Sequence, residues 1–77
     1  MKINELAQVL NDECLPEYTY CLHGGLPNDM YCIEYNEGSW DVYYSEKGNK
    51  TDLKKYRIED DACQDLLARL IRLKKYL

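Results

Sequence analysis

The chain has no phenylalanine, two prolines and a single tryptophan, and no part of it approaches the roughly 18 consecutive apolar residues of a membrane-spanning helix. The N-terminus Met1-Lys2-Ile3-Asn4-Glu5 meets polar residues too early for the apolar stretch of a secretion signal, so a cytoplasmic protein with no membrane contact is expected. In that compartment the four cysteines are expected to be thiols. Bases are almost missing from the first half: residues 1–46 hold nine acids and only Lys2, a formal charge of −8, whereas residues 47–77 hold nine bases and five acids, or +4. An acid-rich half lacks the cations that release counterions from a phosphate backbone, which argues against nucleic acid and for a basic protein partner. The length of 77 residues leaves room for one domain, 1–77, and little for a deep cofactor pocket.

What is present is an ordinary globular composition, 45% hydrophobic and 31% charged, enough to build one small core. Ile3, Leu6, Ala7, Leu10 and Cys14 recur at helical spacing, predicting a helix over 4–13 with Asn4 as N-cap and Pro16 as a stop. Residues 18–22 are good strand formers, closed by Gly24-Gly25 and Pro27-Asn28-Asp29. Residues 30–35 and 40–46 flank Asn36-Glu37-Gly38-Ser39 and read as a hairpin. A turn at 46–49 leads to a fourth strand over 50–57, where Leu53 and Tyr56 break the period of two and predict a bulge or an early end. Its lysines match the decoration of an edge strand. Cys63, Leu66, Leu67, Leu70, Ile71 and Leu77 mark a second helix over 61–76, begun by Asp61 with Gln64 in a capping-box pattern. The expected fold is α+β: a four-stranded antiparallel sheet flanked by an N-terminal and a C-terminal helix, in the order αββββα.

A symmetric hairpin sets Tyr35 opposite Trp40, Ile33 opposite Val42 and Tyr31 opposite Tyr44 on the core face. The other face then carries Glu34 opposite Asp41 and Cys32 opposite Tyr43. Two like charges in direct opposition conflict with local stability, and such conflicts point to function. Tyr43 alternates away from the core face, so it is expected as an exposed anchor for a partner, with Glu34, Glu37 and Asp41 around it. Eight tyrosines and no phenylalanine fit this reading, because amphipathic rings are enriched at interfaces.

Other constellations carry less. Cys14, Cys21, Cys32, Cys63 and His23 are soft ligands, but only Cys21-x-His23 has close spacing, so neither metal nor cofactor is expected. Cys32 facing His23 across neighbouring strands would be needed for thiol catalysis, and nothing in the spacing selects it; no enzymatic activity and no small-molecule substrate are expected. Lys47, Lys50, Lys54, Lys55 and Arg57 beside Tyr43, Tyr44 and Tyr56 form the alternative, an RNA-binding surface, opposed by the acidic hairpin.

The run Trp40-Asp41-Val42-Tyr43-Tyr44-Ser45-Glu46-Lys47-Gly48, then Leu53, Tyr56, Asp60-Asp61-Ala62-Cys63, Leu66-Leu67 and Leu70, resembles small bacterial immunity proteins of polymorphic and contact-dependent growth-inhibition systems. The resemblance spans residues 30–72 and implies a cytosolic inhibitor that binds one cognate toxin domain, commonly a nuclease. The competing expectation is a regulatory or adaptor domain that binds another protein.

Overall fold

The computed structural model describes residues 1–77 as α1 (Ile3–Asp12), a 3-10 turn (Glu17–Thr19), β1 (Tyr20–Cys21), β2 (Met30–Asn36), β3 (Ser39–Glu46), β4 (Asn49–Tyr56) and α2 (Glu59–Lys74). The class and element order are those expected. No helix is long and apolar enough to cross a membrane.

Helix α1 begins one residue before the expected start, at the first residue of its apolar stripe, and α2 begins two residues before and ends at Lys74. Lys2 caps α1 in place of Asn4, its backbone N–H donating to Glu5 Oε1 at 3.0 Å, while the Ile3 N–H donates to Glu59 Oε2 at 2.8 Å. An acid in the first turn of α2 thus satisfies an orphan donor of α1. In α2, Glu59, Asp60 and Asp61 all lie inside the first turn, where their charge complements the helix dipole, and Ile58 is the capping residue. Asp61 is therefore not the cap.

The hairpin has the predicted register, from Met30 opposite Ser45 to Asn36 opposite Ser39. Its turn residues Glu37 and Gly38 have φ of 49° and 89°, and Lys47 and Gly48 have 49° and 77°. Such double positive-φ turns match the twist of the flanking strands and lock a two-residue hairpin. The bulge expected in β4 is present: between the pairs Val42–Lys54 and Tyr44–Thr51, Asp52 and Leu53 together oppose Tyr43, with Asp52 at φ 52°.

The first strand overturns two expectations. Only Tyr20 and Cys21 pair with the sheet, and they run parallel to β2, opposite Tyr31 and Cys32, so the sheet β1-β2-β3-β4 is mixed. Tyr18 and Thr19 are taken by the turn in which the Thr19 N–H and hydroxyl both donate to the Pro16 carbonyl, at 3.0 and 2.6 Å. A parallel return must bring the chain back across the sheet, and Leu22–Asp29 make that crossing.

One face of the sheet carries the core. Helix α2 packs on β2, β3 and β4, and α1 packs on α2. Leu6, Leu10, Leu15, Ile33, Val42, Ala62, Cys63, Leu66 and Leu70 form one buried cluster, with Trp40, Tyr31, Tyr20 and Tyr56 against it. Cys63 is buried as its place on the apolar stripe predicts, and burial pushes its thiol up to about 11.

Candidate functional site

The sheet face opposite the helices was expected to be open, with Tyr43 as its exposed anchor. Instead Tyr43 is fully buried. The Leu22–Asp29 crossing lies over it, and the Tyr43 hydroxyl donates to the Gly25 carbonyl at 2.7 Å. From the side of β4, the Lys50 ammonium sits 4.7 Å from the ring centroid, a cation–π contact. Burial, with Cys32 and Glu34 beside it, raises the phenol above its ordinary range. Tyr43 is a structural residue, not an available contact.

The two opposed acids are also engaged internally. Glu34 accepts from Lys50 Nζ at 2.8 Å and from the Gly25 N–H at 3.2 Å. Asp41, only 1% exposed, accepts from Lys55 Nζ at 3.0 Å and from the Ser39 hydroxyl at 2.7 Å. The cross-strand repulsion is answered by two lysines of β4, which serve this network rather than edge protection alone. Asp41 is therefore closed to a partner, and Glu34 is held in a strap that ties the crossing loop to the sheet. Of the four expected contact residues only Glu37 stays exposed, on the hairpin turn and in no ion pair.

These contacts set the acid sensitivity of the fold. The Lys50 and Gly25 donors hold Glu34 below its ordinary 4.5. For Asp41, burial works to raise the carboxyl from 3.8, but the Ser39 and Lys55 donors together outweigh it and lower it. A carboxylate whose folded value is depressed contributes stability that is complete above its unfolded value and is lost as pH falls through the folded one. The melting temperature is expected to fall steadily from about pH 5 to pH 3, with a smaller fall in the double variant Lys50→Gln/Lys55→Gln. A melting temperature equal at both pH values would contradict the assignment.

At the end of the hairpin the arrangement is different. Tyr35 and Trp40 pack as a tilted pair, ring centroids 4.9 Å apart and planes at 56°, and Tyr35 is nevertheless 61% exposed. Asn36, Glu37 and Gly38 continue the exposed surface. Alternation puts Tyr35 and Trp40 on the core face, and Trp40 does pack against the buried cluster, but Tyr35 lies beyond its reach at the tip of the sheet. Its exposure was not readable from period alone.

The remaining candidates are dispersed. Cys32 is buried with its thiol directed to the Met30 carbonyl at 3.6 Å, and burial pushes that thiol up to about 11, a protonated sulfur rather than a nucleophile. His23 is an exposed loop residue. No group of three or more His, Cys, Asp or Glu side chains is placed to hold a metal ion. In the basic and aromatic set, Tyr43 is buried, Tyr44 packs on Tyr31 at 4.7 Å and Tyr56 donates to Asp65 at 2.8 Å, so the rings do not form a free stacking platform. Comparison of the chain with protein-family models, curated proteins and solved structures gives no match.

Proposed function

We propose that the chain is a non-catalytic protein-binding domain that acts as an immunity protein, neutralising a cognate toxin domain through the end of the β2–β3 hairpin. The observation that carries the reading is the exposed Tyr35 ring held against Trp40, with Glu37 beside it. A ring already packed on its neighbour has lost much of its rotamer freedom, so burying it in a complex gains apolar contact at low entropy cost. The acidic half keeps its field in part. Glu13, Glu34 and Asp41 are neutralised by lysines of the second half, while Glu5, Asp12, Glu17, Asp29, Glu37 and Glu46 are in no ion pair. Such a surface steers a basic partner, as a nuclease domain would be.

The test is capture from the native host on the immobilised chain, followed by growth of cells that express the captured protein. The expected result is a toxin domain whose lethality is relieved by co-expression of the chain. Tyr35→Ala is expected to weaken that complex by about tenfold or more while lowering the melting temperature by only a few degrees, the cost of its contact with Trp40. Glu37→Gln is expected to slow association at low salt and to have no effect at high salt. Capture of a harmless protein would favour the adaptor reading instead.

A further inference from the structure

A cleft of about 490 Å³ lies between the C-terminal half of α2 and the strands, lined among others by Tyr31, Asp52, Lys54, Arg69, Arg72 and Tyr76. We propose that this cleft binds a single carboxylate carried on a small apolar or aromatic body, a site independent of the hairpin end.

Arg69 lines the cleft. Its side chain is only 7% exposed, and its fork is held from two sides. Nε donates to Asp65 Oδ1 at 3.0 Å, and Nη2 donates to Asp65 Oδ2 at 3.2 Å and to the Asp52 carbonyl at 2.8 Å. Asp52 is the positive-φ residue of the β4 bulge, so the bulge supplies the carbonyl that fixes the guanidinium. The remaining nitrogen, Nη1, is buried and has no partner. A buried charged donor left unpaired is unfavourable, and because Arg69 lines the cleft an acceptor there relieves it once the side chains that seal Nη1 shift. The neighbouring Lys54, Arg72 and Tyr76 are exposed and free to rearrange around such an acceptor.

Charge selects the ligand. Arg69 and Asp65 cancel as a pair, leaving Lys54 and Arg72, neither in an ion pair, against the carboxylate of Asp52. The surplus is one positive charge, which matches a carboxylate and falls one short of a phosphate dianion. With Nε and Nη2 already engaged, Nη1 is left to donate to one oxygen of the carboxylate. Tyr31, Leu73 and Tyr76 offer apolar surface for the rest of the molecule. The volume is at the small end of ligand pockets, ~300–1,000 Å³, which favours a body of one ring system.

The experiment is a titration of the isotope-labelled chain followed by NMR, reading the side chains of Arg69, Arg72, Tyr31 and Tyr76. The probes are indole-3-acetate, its uncharged analogue indole-3-ethanol, phenyl phosphate, and acetyl-Gly-Trp with a free or an amidated C-terminus. Saturable shifts at these residues are expected with both free acids, and binding about tenfold weaker for the alcohol and the amide. Arg72→Gln, an exposed change, is expected to weaken acid binding several-fold without altering the melting temperature. Tighter binding of the peptide acid would identify the end of a protein chain as the source of the carboxylate, and tighter binding of indole-3-acetate a free small acid. Shifts elsewhere, equal binding of acid and alcohol, tighter binding of phenyl phosphate, or no saturation would each overturn the proposal.

Discussion

Tyr43→Ala is expected to lower the melting temperature by roughly 15 °C or more, because emptying a buried aromatic site costs about 3–5 kcal/mol and each kcal/mol is worth ~4–8 °C in a domain of this size. The ring has no exposed surface, so the loss falls on the fold and not on a partner contact. Tyr43→Phe separates the parts of the effect. It keeps the volume and the Lys50 contact but removes the hydrogen bond to the Gly25 carbonyl, at an expected cost of about 1–2 kcal/mol. Denaturant melts of the three proteins check both values. A Tyr43→Ala chain as stable as the parent would mean that the Leu22–Asp29 crossing does not cover the sheet.

Gly24→Ala is also expected to damage the fold. Gly24 has φ +72°, and an added Cβ would stand 2.5 Å from Glu34 Oε1, 2.8 Å from its Cγ and 2.9 Å from its Cβ. The last two atoms cannot swing aside like the tip of a side chain, so Glu34 must leave both Lys50 and the Gly25 N–H. With the cost of a left-handed alanine, ~1–2 kcal/mol, the expected loss is about 2–4 kcal/mol. Gly25→Ala is the control: φ is +85° but nothing lies within 4 Å of its Cβ, so only the backbone cost applies. If the two variants melt together, the close approach of loop to sheet is wrong.

The residues that were misjudged share one cause. The hairpin register, the bulge and the face of Cys63 were legible because they depend on neighbours in sequence: a two-residue turn, a break in alternation, a helical stripe. The direction of β1 depends on a partner eleven residues away and leaves no local mark in Tyr20-Cys21. An antiparallel return at Gly24-Gly25 would have left Tyr43 open; the parallel return draws the loop across it. The Glu34–Asp41 conflict was misread for a related reason. Two strands considered alone show two carboxylates, and only the third strand supplies Lys50 and Lys55. The contrast between acidic and basic halves likewise folds partly onto itself, and the carboxylate cleft, built by α2, β2 and β4 together, has no signature in any one segment.

What distinguishes the hairpin end is that its aromatic ring is ordered without being consumed by the core. The most direct test of the partner-binding account is hydrogen–deuterium exchange of the free chain and of its complex with the captured toxin domain. The account predicts new protection over Tyr35–Trp40 and unchanged protection in the already covered Cys32 and Tyr43. Protection confined to the Leu22–Asp29 loop, with the hairpin end exchanging as in the free chain, would contradict it.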